Sequence, residues 1–153
     1  MRLRDELGTV FQLDVDTPLE DEEFDRLARA VFEFQYEFNH PYRAYCDRRN
    51  RSPARIERWT EIPPVPPAAF KEVALVAGLP EQAERIFRTS GTSRGQEKRG
   101  LHYILDLSLY HDAMLPMFDA YVRPDGRSLP IISLIPSAEQ APDSSLSEMV
   151  STA

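Results

Sequence analysis

The stretch Phe87–His102, "FRTSGTSRGQEKRGLH", is the most informative in this chain. Gly91-Thr92-Ser93-Arg94-Gly95 spells G-x-S-x-G, the pattern of a hydrolase nucleophile elbow. That elbow needs a strand, a sharp turn at the serine and a helix packed directly behind it. Residues 92–100 contain no apolar side chain to pack such a helix, and Gly100 interrupts it. A serine–acid–histidine order also fails, because the last histidine, His111, closely follows Asp106 on the same predicted helix. The phosphate pattern G-x-x-x-x-G-K-[ST] fails as well: Gly91 and Gly95 are too close, and Arg99 follows Lys98 in place of a hydroxyl. What survives is simpler chemistry. Thr89, Ser90, Thr92 and Ser93 offer hydroxyls, Gly91 and Gly95 let backbone N–H groups approach an anion, and Lys98 and Arg99 can neutralise phosphate charge. The competing reading is an ordinary polar turn.

The bulk composition frames that loop. A chain of 153 residues, 42% apolar and 28% charged, suits one globular domain or part of a larger one. A net charge of −7 argues against a general nucleic-acid binder, which would carry a basic face. It leaves room for a local anion site, since Arg88, Arg94, Lys98 and Arg99 face only Glu97 in this stretch. A second arginine-rich run, Arg43 to Arg58, is interleaved with Asp47 and Glu57 and reads as a solvated helix face. No apolar run approaches the ~18 residues of a membrane span. The start, "MRLRDELGTVFQLDVD", is too acidic and discontinuous for a signal peptide. A single cysteine, Cys46, excludes an internal disulfide and reads as a small core residue. A cytoplasmic protein without a membrane span is the expectation.

Along the chain, Thr17-Pro18-Leu19-Glu20 reads as a helix start with a capping box. Phe24, Leu27, Ala28, Val31, Phe34 and Phe38 recur at helical spacing, and Asn39-His40-Pro41 is expected to close this helix, because Pro41 disfavours helical geometry in His40. A second short helix is predicted over 41–49. "EIPPVPPAAF", residues 61–70, reads as a proline-stiffened connector more readily than as a polyproline ligand. "EVALVAG" is a short strand or a helical turn. "ERIFRTS" reads as a strand running into the glycine loop, and "HYILDL" as a second strand. A helix starts at Asp106 or Ser108, with Tyr110, Ala113, Met114, Met117, Phe118 and Tyr121 on one stripe and a kink expected near Pro116. Pro124-Asp125-Gly126 is a turn, "SLPIISLIP" is the best buried-strand candidate, and Ser145-x-x-Glu148 is a capping box opening a last helix. Strands alternating with helices imply parallel βα units. The expected fold class is therefore α/β: a helical N-terminal region, residues 1–60, then an incomplete βα portion, residues 61–153.

"TSGTSRGQEK" resembles the Ser/Thr/Gly-rich nucleotide loop of adenylate-forming enzymes, commonly [ST]-[ST]-G-[ST]-T-G-x-P-K. Its surroundings narrow the likeness. "IPPVPPAAFKEVAL" before the loop, "GLHYILDLSLYHDAMLPMF" after it and "LIPSAEQAPDSSLSEM" further on resemble the corresponding segments of the LuxE-type acyl-protein synthetases. The resemblance spans residues 61–149. It departs from the family pattern at Arg94, which looks like an insertion before the second glycine, and no proline precedes Lys98.

This resemblance implies a partial adenylation domain of the adenylate-forming superfamily. The implied chemistry uses ATP and Mg²⁺ to convert a fatty or other carboxylic acid to an acyl-adenylate with loss of pyrophosphate. The acyl group then passes to a thiol and onward to an acyl-accepting protein partner, a reductase, or to CoA. Thr89, Ser90, Gly91, Thr92, Ser93, Gly95 and Lys98 would hold the nucleotide phosphates, with Arg99 and His102 on the substrate side. Cys46 precedes the loop, whereas the family's acyl-accepting cysteine lies far downstream. The family's adenine, ribose and mobile-lobe segments would follow residue 153, so this chain alone is expected not to complete adenylation. The alternative from another class is a non-catalytic nucleotide- or anion-binding module, or a protein-interaction module using the helix from Phe24 to Phe38.

Overall fold

In a computed structural model the chain is described over residues 2–89, 99–127 and 130–153. The order of elements is α1 (Leu3–Phe11), α2 (Asp21–Phe38), α3 (His40–Asp47), α4 (Ala69–Glu72), β1 (Arg85–Arg88), β2 (Leu101–Ile104), α5 (Leu107–Val122) and α6 (Ser145–Thr152), with short 3₁₀ turns at Pro53–Arg55, Trp59–Glu61 and Pro80–Gln82. It is a helix-rich α/β structure with a small two-stranded sheet.

α2 begins later than Thr17-Pro18 suggests. The N–H of Thr17 is taken by the Asp14 carbonyl in a turn, 2.8 Å away, and Glu20 is still extended. The helix starts at Asp21, where Asp21, Glu22 and Glu23 lie favourably in its first turn. The break comes at Asn39, within the expected Asn39-His40-Pro41 stop, and His40 already begins α3. Asn39 closes α2 and caps α3, its Oδ1 accepting the Tyr42 N–H at 3.3 Å. Pro41 then occupies the first turn of α3, where a missing N–H costs nothing.

Behind this hinge lies a core of Phe32, Tyr42, Cys46 and Ile56, with Tyr36, Tyr45, Ile62 and Val65 packed on it. Cys46 is fully buried, as a small core residue should be. The proline connector is tied to α3: Tyr42 and Tyr45 donate their hydroxyls to the carbonyls of Pro63 and Pro64, at 3.0 and 2.7 Å. The arginines from 43 to 58 do more than face solvent. Arg43 donates to the Tyr36 and Glu37 carbonyls, Arg49 covers the Tyr45 ring, Arg51 pairs with Glu61 and Arg58 with Asp25. Asp25, inside the acidic start of α2, also accepts the Trp59 N–H at 2.7 Å, which fastens that 3₁₀ turn to the helix.

The two strands pair antiparallel, Phe87 opposite His102 and Arg88 opposite Leu101. This corrects the parallel βα expectation. A parallel pair needs a crossover element of a dozen or more residues between its strands, and residues 89–100, at the lower limit of that length, are all that lies between β1 and β2. "EVALVAG" contributes only Glu72, the end of α4, after which Val73 is extended and no strand forms. α5 starts as expected, the Asp106 carboxylate accepting the Leu109 N–H at 2.8 Å, and continues through Pro116. Gly126, with φ +66°, closes the expected turn after α5.

The buried-strand expectation for "SLPIISLIP" is overturned over its described residues. Residues 130–136 form no strand, and Ile132 and Leu134 are 90% and 99% exposed. A β-prone run becomes a strand only against a sheet edge, and the described sheet does not extend to it. The last capping box also resolves differently. Ser144, not Ser145, caps α6, its Oγ accepting the Ser147 N–H at 3.1 Å, and Glu148 turns inward. Among the described residues, no helix is long and apolar enough to cross a membrane.

Candidate functional site

β1 delivers Arg88 and Thr89 to one end of the hairpin, and β2 begins there with Gly100 and Leu101. The end is closed by a reciprocal pair of bonds. The Thr89 N–H donates to the Gly100 carbonyl at 3.0 Å, and the Gly100 N–H donates to Thr89 Oγ1 at 2.9 Å. Thr89 Oγ1 is thus an acceptor, and among the described residues its hydroxyl proton meets no acceptor. A Cβ on Gly100 would come within 3.1 Å of Thr89 Cγ2, which is why the close approach uses glycine.

The segment before α6 runs alongside β1. The Arg88 N–H donates to the Asp143 carbonyl at 2.8 Å. The Asp143 carboxylate lies between two guanidinium groups, 3.7 Å from Arg88 Nε and 3.8 Å from Arg99 Nη1. Among the described residues, one carboxylate faces two guanidinium groups at this corner. The start of α6 is thereby brought to the hairpin end. Ser144 Oγ takes the Ser147 N–H, and the N–H groups of Ser145 and Leu146 have no hydrogen-bond partner among the described residues.

These elements enclose a cleft of about 290 Å³ lined by Phe87, Arg88, Thr89, His102, Ile104, Tyr110 and Ser145. Its floor is apolar: Phe87 is buried and its ring lies 5.3 Å from that of Tyr110. His102 is held by stacking on Phe70, with ring centroids 4.5 Å apart. Beneath the cleft, Glu148 lies between His111, at 2.9 Å, and Arg85, at 3.5 Å. Burial, and then the Glu148 charge, push the Tyr110 hydroxyl up, so it stays a neutral hydrogen-bond donor and acceptor at neutral pH.

The residues expected from the sequence fall into three groups. Thr89 and His102 share the 290 Å³ cleft. Arg99 does not join them: its Nε donates to the Thr89 carbonyl at 2.6 Å, and it lines a separate cleft of about 170 Å³ with Phe70, Leu101 and Tyr103. Ser90, Gly91, Thr92, Ser93, Gly95 and Lys98 lie outside the described residues. Sequence reasoning missed Tyr110, Ser145, Asp143 and Glu148 as neighbours of this cleft. Tyr110 reads as part of an apolar stripe and Ser145 as a cap. The one available signal was the "PDSS" turn, noticed for its resemblance alone.

Arg88, the hydroxyl-bearing Thr89, Tyr110 and Ser145, and His102 line the cleft beside an apolar floor at the start of α6, a set that can offer donors to a phosphate. Among the described residues no group of three or more His, Cys, Asp or Glu side chains could hold a metal ion. An Mg²⁺ at this site would be carried largely by the oxygens of the nucleotide itself. Comparisons with protein-family models, curated proteins and solved structures return no match to this chain.

Proposed function

We propose that the cleft holds the phosphate groups of ATP, and that the chain is the nucleotide-holding portion of a carboxylate-activating ligase resembling the LuxE-type acyl-protein synthetases. The observation that supports this reading is the convergence of Arg88, Thr89, His102 and Ser145 on one cleft at the hairpin end. In sequence, Thr89 is followed directly by the hydroxyl-rich residues 90–98.

A carboxylate is a poor electrophile, and joining it to AMP supplies a good leaving group. The task of this chain's residues is to orient phosphate and offset its charge. Arg88 provides charge, Thr89 and Ser145 donate from their hydroxyls, and the open N–H groups of α6 add the positive end of a helix. Mg²⁺, where bound, offsets phosphate charge and strengthens the electrophile. Cys46 does not fit an acyl acceptor: it is fully buried and its thiol is pushed up, first by that burial.

The test is equilibrium binding of Mg-ATP to the chain by calorimetry. Arg88→Ala and Thr89→Val should each weaken binding by about tenfold, the scale of one lost hydrogen bond to a charged group. Unchanged affinity in both variants refutes the cleft. For the ligase reading, the readout is exchange of labelled pyrophosphate into ATP by a protein in which this chain is joined to the family's downstream adenylation segments. Exchange that requires an added fatty acid supports it; ATP binding without acid-dependent exchange removes the ligase and leaves nucleotide holding.

A further inference from the structure

α2 has two apolar faces; the fold buries one and covers only part of the other. Toward the core it sends Phe32, with Asp25 and Asn39 buried along the same side. The other face carries Phe24, Leu27, Val31, Phe34 and Phe38 in a three–four alternation. Leu27 is buried, but Phe24, Phe34 and Phe38 remain 43%, 40% and 45% exposed. The Phe34 and Phe38 rings lie against one another, centroids 5.0 Å apart. Phe24 meets the Trp59 ring edge-on at 5.2 Å, and Trp59 is itself exposed. At 1.5 Å per residue the exposed rings at its two ends, Phe24 and the Phe34–Phe38 pair, lie about 15–21 Å apart along the helix, with Leu27 buried between them.

The charges beside the row select its occupant. Glu20, Glu23 and Glu37 flank it; Arg29 pairs with Asp25, and Arg26 pairs with Glu6 while also facing Glu23, so the flank keeps a net negative charge. A second copy would set acid against acid. We propose that this face docks an amphipathic helix of a partner protein, with apolar residues at matching three–four spacing and lysines or arginines beside them. This surface is independent of the cleft and stands or falls without it.

The experiment titrates the chain with a synthetic Leu/Lys peptide whose leucines follow a three–four spacing, and with a Leu/Glu peptide of the same pattern. Trp59, the only tryptophan, reports docking at the edge of the row through its emission, and anisotropy of the labelled peptide gives the affinity. The Leu/Lys peptide should bind saturably, one per chain, and shift the emission. The double variant Phe34→Ser, Phe38→Ser keeps the charge and should weaken binding by about tenfold or more, as loss of an aromatic anchor does. Glu23→Lys with Glu37→Lys, a surface change, should weaken it as well. Equal binding by the phenylalanine variant, with an unchanged circular dichroism spectrum, overturns the proposal, because the peptide then follows net charge alone. Equal binding of the Leu/Glu peptide overturns it too. A dimer in sedimentation that the phenylalanine variant dissolves assigns the face to a second copy and also overturns it.

Discussion

The Glu148 side chain is 6% exposed and brings a formal charge into the junction of β1, α5 and α6. A buried carboxylate is costly unless it is paired, and His111 and Arg85 pair it. Glu148→Ala leaves those groups facing one another without their anion and should cost about 2–3 kcal/mol in urea unfolding, somewhat below a fully buried pair because both partners keep some solvent. Glu148→Gln, which retains shape and one hydrogen bond to His111, should cost less. The sequence marked this glutamate only as the acid of the Ser145-x-x-Glu148 capping box, a place at a helix start that gives no sign of a buried ion pair. Cys46 is the opposite case: its solitary place in the composition already suggested a core thiol, and it is fully buried. A native chain should therefore resist a thiol reagent that modifies Cys46 promptly in denaturant. Rapid modification of the folded chain would contradict that burial.

At the scale of the element, local signals were legible wherever a backbone group had to be satisfied nearby. Asp106 opens α5, Gly126 makes its turn and the Asn39–Pro41 region separates α2 from α3. Asn39→Ala removes the acceptor for the Tyr42 N–H and should cost about 1–2 kcal/mol, measured by thermal or chemical unfolding, whereas Asn39→Asp should retain most of the cap. Periodicity was less reliable. The predicted stripe of α2 ran through Phe34 and Phe38, while the core selected Phe32 and left those two exposed. The helix has more apolar positions than one face, and spacing alone does not say which face finds a neighbour. Residues 130–136 failed for a related reason: an apolar run of strand character specifies a strand only where another strand offers its hydrogen bonds.

At the scale of the whole molecule, α1 is fastened to the start of α5 across most of the sequence. Arg4 Nε donates to Asp106 Oδ2 at 2.7 Å, and Arg4 Nη2 to Ser108 Oγ at 2.6 Å. The bond from Ser108, then that from Arg4, hold the Asp106 carboxyl at about 2, below its ordinary 3.8. A depressed carboxyl favours the folded state above its unfolded value and loses that contribution as pH falls toward the folded one. The difference in melting temperature between the native chain and Arg4→Ala should thus be present at neutral pH and shrink between about pH 4 and pH 2. A difference that stays constant into acid would remove this ion pair from the stability of the chain. Sequence alone determined what local chemistry dictates: a helix-rich α/β chain, a glycine- and hydroxyl-rich connection between two short strands, and helices that begin at Asp106 and end near Asn39. The tertiary structure decided what depends on distant partners. It made the strands antiparallel, separated Arg99 from His102, and brought Arg88, Thr89, Tyr110 and Ser145 to one cleft. It also turned Glu148 inward. The physical reason is that caps and turns are satisfied within a few residues, whereas a cleft, a buried charge and the choice of a helix face depend on neighbours that only folding supplies.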